Sequence, residues 1–270
     1  MKTSRLGALN YMEPSRARGV ELTDADRALL AFAAEQRFVL VGQVALLLGV
    51  SDAAAAARLR RLGHAGCLLR ARELHRGPTW HQITAAGLRA IHSELPPPRG
   101  FDLATHRHDA GLGWLMLTVR AGRFGGVRRV VSEREMRSAD GRAAAVDPRY
   151  GVRLGGVGPG GREGLHYPDM VIVSDTGHRV AFELELSTKE PARRARILTG
   201  YAADPRIDAV VYLVDRPAAA RAIDRSVRRL GLRELVSVQN VTLARGARAP
   251  RPGRTAAWAG GRGPAPEAAR

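Results

Sequence analysis

The chain has 270 residues, with 43 Lys or Arg against 26 Asp or Glu and a formal net charge of +17. Its length supports two modest domains, and its charge points to a polyanionic partner, because clustered cations gain affinity by releasing counterions from phosphates. One cysteine, Cys67, excludes an internal disulfide or a cysteine-rich zinc site; no apolar run approaches the roughly 20 residues that span a bilayer, and the first residues lack the apolar stretch of a secretory signal.

A cytoplasmic protein with no membrane partner is therefore expected. The chain is rich in Ala, Gly, Arg and Pro, the residues of GC-rich codons, so charge is supporting evidence only. Only Lys2 and Lys189 are lysines. An ammonium can lose its proton when buried and a guanidinium practically cannot, so Lys189 stands out in an arginine background.

Residues 1–20 read as a flexible lead-in. Residues 21–95 read as a winged helix-turn-helix. Thr23 is a good N-cap, with Asp24 and Asp26 at the positive end of the helix dipole. Leu29, Phe32, Ala33 and Gln36 follow at helical spacing. A second helix fits Gly42 to Leu48 with Gly49 as its stop, and Ser51 caps a third. In that third helix Ala55, Leu59 and Leu62 face inward, and Arg58, Arg61 and His64 are expected to face DNA. Two strand-like runs, 67–75 and 79–84, join through Arg76-Gly77-Pro78, and Thr84 caps a closing helix. In this order the third helix enters the major groove and the wing, with Arg70, Arg72 and Arg76, touches backbone or minor groove. The competing reading is a small helical bundle with a solvated arginine face.

Residues 96–101 form a stiff, proline-rich linker. The run 102–122 reads as one helix despite Gly111 and Gly113, with Leu112, Leu115, Met116 and Val119 inward. His106 and His108, at i and i+2, point roughly opposite ways and cannot share a metal on a helix; capping or a contact between domains is expected. Val127 to Glu135 reads as a strand, with Glu133 either an exposed residue or an additional acid for a site. The glycine-rich stretch Gly151 to Gly164 reads as a loop. It lacks the Lys-Ser/Thr of a phosphate-binding loop.

The informative segment runs from His166 to Glu190. Met170 to Val173 is a strand, Asp175-Thr176-Gly177 a turn and Arg179 to Ser187 a second strand. Val180, Phe182, Leu184 and Leu186 share one face of that strand; Ala181, Glu183, Glu185 and Ser187 share the other. With Asp169 opening the neighbouring strand, three carboxylates converge, a set suited to Mg²⁺. The alternative is that Glu183 and Glu185 are the wet face of an amphipathic strand, where two adjacent acids need a compensating cation.

Pro168-Asp169, followed by Glu183-x-Glu185 and Lys189, resembles the signature of the PD-(D/E)xK nucleases. With the helix, strand, helix and strand that follow, the order from Thr23 to about Leu243 is similar to the replication-relaxation family of actinobacterial plasmids and integrative elements. The resemblance implies an α+β or α/β chain: a winged helix, then a restriction-endonuclease-like mixed-sheet domain over residues 102–243. It implies Mg²⁺ on Asp169 and Glu183, with Glu185 as ligand or base and Lys189 stabilising charge. It also implies double-stranded DNA as partner, with a homodimer and replication or conjugation proteins as further candidates.

One departure matters. The family lysine stands two residues after the glutamate, where this chain has Glu185. Lys189 would lie about 20 Å from Glu183 if the strand ran on, but a capping box, Ser187-x-x-Glu190, turns the chain into a helix and lets it swing back. Otherwise Lys189 neutralises the glutamates or contacts DNA. On the helix after the motif, Arg193, Arg194 and Arg196 are expected to meet phosphates or water, and Tyr201 fits a core stripe with Ile197 and Leu198. Residues 244–270 read as a disordered basic tail. Two functions stay open: a Mg²⁺-dependent deoxyribonuclease acting in replication or mobilisation, or a non-enzymatic DNA-binding regulator.

Overall fold

A computed structural model describes residues 21–71, 78–122, 124, 126–142, 148–157, 163–187 and 189–242. Arg72, Arg76, the lead-in and the basic tail lie outside the described residues.

The first half is assembled from well-capped helices. Helix α1 (Asp24–Glu35) opens on a full capping box, the Thr23 hydroxyl accepting from Asp26 N and the Asp26 carboxylate from Thr23 N. A two-residue strand, β1 (Val39–Leu40), leads into α2 (Val41–Leu48). Both its residues are buried, yet a run of two has no alternation to reveal it. Gly49, at φ 64°, ends α2 in the left-handed conformation that glycine adopts without strain. Helix α3 (Asp52–His64) is capped by Ser51 and lies at 107° to α2. Strands β2 (Leu68–Ala71) and β3 (Trp80–Ile83) follow, then α4 (Ala85–Ala90), and the three strands form an antiparallel sheet in the order β1-β3-β2.

Helix α5 (His106–Arg120) joins the halves. Gln43 of α2 is buried, accepts from Leu40 N at 2.9 Å and donates to Ala110 O at 2.9 Å. A Cβ at Gly113 would collide with that side-chain amide. The residue that weakens α5 intrinsically is therefore the one that lets α2 approach it.

The second half comprises β4 (Val127–Ser132), α6 (Glu133–Arg142), β5 (Val152–Val157), β6 (Glu163–His166), β7 (Met170–Ser174), β8 (Arg179–Glu185), α7 (Pro191–Ala203), β9 (Ala209–Val214), α8 (Pro217–Arg229) and β10 (Val236–Asn240). The chain is of mixed α and β class. Its main sheet has the order β10-β9-β8-β7-β4, with β4, β7 and β8 an antiparallel meander and β8, β9 and β10 parallel.

Three local expectations need correction. The strand expected to reach Glu135 ends at Ser132, because Ser132 and Glu135 cap α6 reciprocally. The box expected at Ser187-x-x-Glu190 does not form; α7 starts at Pro191 with Glu190 as an unbonded N-cap, and Ser187 turns back to the Glu185 carboxylate. The stretch read as a glycine-rich loop contains strand β5 and the start of its partner β6, held down by Val152, which is fully buried with Ile197 and Tyr201 of α7.

The largest apolar cluster does not stop at the proline-rich segment. It runs from Leu29, Phe32, Val44 and Leu59 through Trp114 and Met116 to Met170, Phe182 and Leu184 of the main sheet. Phe101, at the end of that segment, stacks on Trp80 with centroids 4.9 Å apart. Helix α5 and the first half thus cover one face of the sheet. Ala181, Val210, Tyr212 and Val214, on the other face, lie in a second cluster with residues of α7 and α8.

Candidate active site at the end of the main sheet

Strand β8 alternates as its sequence requires, but neither face is wet. Phe182 and Leu184 enter the first cluster, while Glu183 and Glu185 point beneath α7 and are only 1% and 4% exposed. The amphipathic-strand alternative fails on that burial. Two carboxylates in such a place need hydrogen bonds and cations to remain ionised.

Both have them. Glu183 Oε1 accepts from the Tyr201 hydroxyl at 2.5 Å and lies 2.6 Å from His166 Nε2. Lys189 Nζ stands 2.7 Å from Glu185 Oε2 and 3.8 Å from Glu183 Oε2. Burial pushes the Glu183 pKa up, but attraction to His166 and Lys189 and the Tyr201 hydrogen bond outweigh it and hold the carboxyl below its usual range. Burial likewise opposes the Lys189 ammonium, and Glu183, Glu185 and Asp169 reverse it, so the Lys189 pKa is raised. Lys189 is therefore a cation at neutral pH. Burial and then Glu183 push the Tyr201 phenol well above its ordinary value, which makes it a donor to the carboxylate.

Asp169 closes the group. It immediately precedes β7, in which Met170 pairs with Phe182, so Asp169 lies across from Glu183 at the strand end. Its Oδ2 accepts from Leu184 N at 2.8 Å and lies 3.0 Å from His108 Nε2. Burial alone would lower the His108 pKa, but its two carboxylate neighbours, Asp109 and Asp169, raise it to about 10. Asp109 is held by Thr105 and by Arg37 from the first half, and Arg37 also reaches Glu133 at 3.6 Å. Glu133 thus sits next to the site, its N–H donating to Asp169 O, with its carboxylate paired to Arg37 and Arg137.

The sequence-derived quartet of Asp169, Glu183, Glu185 and Lys189 is brought together. His108, His166 and Tyr201 were not assigned to it. His166 arrives on β6, whose strand character the glycines around it conceal. His108 carried the hint of a contact between domains, and meets Asp169 instead of a metal shared with His106, whose Nδ1 lies 2.5 Å from Leu103 O.

The arginines expected at DNA divide. Arg58 lies 2.7 Å from the buried Asp26 carboxylate, and Arg61 pairs with the same oxygen. They brace α3 against the start of α1 instead of projecting from it, because an ionised carboxylate buried at a helix cap attracts any cation in reach. Arg194 is buried, donating to Ser226 Oγ at 2.9 Å and Lys189 O at 3.0 Å. It ties α7 to α8 and holds the loop that carries Lys189, so it is not a phosphate contact. Arg196 donates to Gly155 O at 3.2 Å. His64, Arg70 and Arg193 are exposed.

Among the described residues no group of three or more His, Cys, Asp or Glu is arranged to hold a metal ion, and no single helix is long and apolar enough to cross a membrane. No family model, curated protein or solved structure matches the chain.

Proposed function

We propose that this chain is a DNA-binding replication or mobilisation factor of a mobile element. Its first half is a winged helix-turn-helix, and its second half a restriction-endonuclease-like domain whose Asp169–Glu183–Glu185–Lys189 cluster cleaves a DNA phosphodiester. The observation that carries this reading is the return of Lys189 to 2.7 Å from Glu185 and 3.8 Å from Glu183, which restores an acid–acid–lysine group after the motif position was lost to glutamate.

The order of α1, β1, α2, α3, β2 and β3, with α2 and α3 at 107°, supports the winged helix. The meander β4-β7-β8 followed by a helical crossover to parallel β9 supports the second assignment, as does a site at the carboxyl ends of parallel strands.

Mg²⁺ takes one or two carboxylates and completes its shell with water and substrate phosphate. Asp169 and Glu183 fit that demand as a pair: both are hard oxygen donors, and Asp169 Oδ1 has no hydrogen-bond partner among the described residues. When bound, the ion supplies charge neutralisation at the phosphate and a more acidic water. The chain's own residues do the rest. Leu184 N fixes Asp169, Tyr201 and His166 fix Glu183, Lys189 offers a cation to the phosphate, and His108 presents a second one from α5.

One observation favours a regulator without catalysis: Glu183 Oε1 already holds two hydrogen bonds. A nicking assay on supercoiled plasmid with Mg²⁺ or Mn²⁺ separates the readings. Cleavage by the wild type that disappears in Asp169→Asn and Lys189→Gln, with duplex binding intact in both, supports the enzyme. Duplex binding with no cleavage by any protein supports the regulator, and absence of both defeats the proposal.

A further inference from the structure

We propose a second nucleic-acid surface on α8, where Arg221, Arg225 and Arg229 form a row of guanidinium groups that holds the phosphate backbone of duplex DNA without reading bases. The inference rests on the DNA-binding reading above, but it concerns a helix that carries none of the motifs that suggested it.

Helix α8 is sharply two-sided. Ala219, Ala222, Ile223, Ser226 and Val227 are buried against the sheet and α7. Arg221, Arg225, Arg228 and Arg229 are exposed. The only acid on the helix, Asp224, is taken by Arg228. Arg221, Arg225 and Arg229 have no hydrogen-bond or ion-pair partner among the described residues. They are spaced by four residues, so successive groups stand about 6 Å apart along the axis.

An exposed helix without a charged partner normally mixes signs, because opposite charges at i and i+4 support it and like charges weaken it. In α8 the spacing is the one at which like charges repel, and no neighbouring carboxylate relieves it. Codon bias explains arginine in general; it does not explain why, on this helix, the one acid is used up and three guanidinium groups are left in a row. Several arginines on other elements are satisfied, although single exposed ones such as Arg60 and Arg193 are not. Arg58 and Arg61 are held by Asp26, Arg120 by Glu35, Arg137 by Glu133 and Arg194 by Ser226. A bound polyanion offsets the repulsion on α8 and releases counterions on doing so. Planar guanidinium forks match phosphate oxygens well, and contacts of this kind set position, not sequence.

The test is a fluorescence-anisotropy titration of the full chain on duplex DNA over a range of salt concentrations. The wild type is compared with the triple variant Arg221→Gln, Arg225→Gln, Arg229→Gln and with the corresponding triple lysine variant. All three groups are exposed, so an unchanged circular dichroism spectrum is expected, with a thermal midpoint of the glutamine variant equal to or slightly above that of the wild type. The glutamine variant should flatten the slope of log affinity against log salt by about 2 to 3, with its preference among duplex sequences unchanged, and the lysine variant should restore most of that slope. An unchanged slope in the glutamine variant, with the wild type still binding duplex, overturns the α8 surface and leaves the DNA-binding reading in place. A wild type that binds no duplex overturns both. Loss of binding to phosphatidylserine-containing vesicles with duplex binding unaltered would assign the row to a lipid surface and also overturn it.

Discussion

Two buried carboxylates in this molecule are built alike and mean different things. Asp26 receives a hydroxyl from Thr23 and two cations, Arg58 and Arg61. Glu183 receives a hydroxyl from Tyr201 and two partners, His166 and Lys189. Asp26, however, is saturated by a helix cap and two arginines whose charge is fixed, and nothing at it is left to react. Glu183 stands among titratable groups and further carboxylates, Asp169 and Glu185, at the end of the main sheet. A buried acid is a candidate site when its neighbours retain chemistry, not because it is buried.

The contrast can be measured as stability. Removing one partner of a buried ion pair costs most when the others cannot reach water. Lys189, 25% exposed, keeps Glu185 at 2.7 Å, but the Tyr201 hydroxyl is fully buried and His166 only 16% exposed, so Glu183→Ala leaves both unpaired and is expected to destabilise the chain by about 3 kcal/mol in urea unfolding. Asp26→Ala removes an equally buried acid, but Arg58 and Arg61 are 30% and 46% exposed and rehydrate. The expected loss is about 2 kcal/mol, mainly that of the cap and its hydrogen bonds. Equal losses at the two sites would erase the distinction.

Acid acts on both. Burial raises the Asp26 pKa, but hydrogen bonds from Thr23, Arg61 and Arg58 outweigh it and bring it down from 3.8 to about 2. The folded value is depressed, so this group's contribution is present above about pH 4 and is lost as pH falls through about 2. Glu183 acts with the same sign. Asp26→Asn should therefore show a shallower fall in unfolding free energy between pH 4 and pH 2 than the wild type, while keeping the share due to Glu183. An identical acid limb in the two proteins would mean that Asp26 is not ionised against its arginines.

What was legible in the sequence follows the range of the interaction that decides it. Caps act within three residues, so Thr23, Ser51 and Thr84 mark their helices directly. Alternation acts every second residue, so the shared face of Glu183 and Glu185 could be read, and the oddity of Lys189 in an arginine background drew it to the same place. The partners that complete the site come from farther away: His166 is 17 residues from Glu183, Tyr201 is 18, and His108 is 61 from Asp169. No local pattern carries such pairings. The Asp26–Arg58 contact spans 32 residues, which is why arginines placed on the outward face of α3 by periodicity turned out to be occupied.

Under the proposed function, that occupation decides which groups of α3 would be available to DNA. For Arg58 or Arg61 to reach a phosphate, it must leave a fully buried carboxylate with one fewer cation, and much of what the phosphate contact gives is cancelled. Arg60 is exposed and unpaired among the described residues, and leaving water for a phosphate costs it no internal contact. Arg60→Gln is therefore expected to flatten the salt dependence of duplex binding by about one unit of slope. Arg58→Gln and Arg61→Gln, made singly, should leave affinity within about twofold and show themselves as stability losses of up to about 1 kcal/mol. If the order were reversed, with Arg58 or Arg61 carrying the salt slope and Arg60 silent, the Asp26 cluster would have to open on binding, and it would belong with the carboxylates of the candidate site instead of the structural ones.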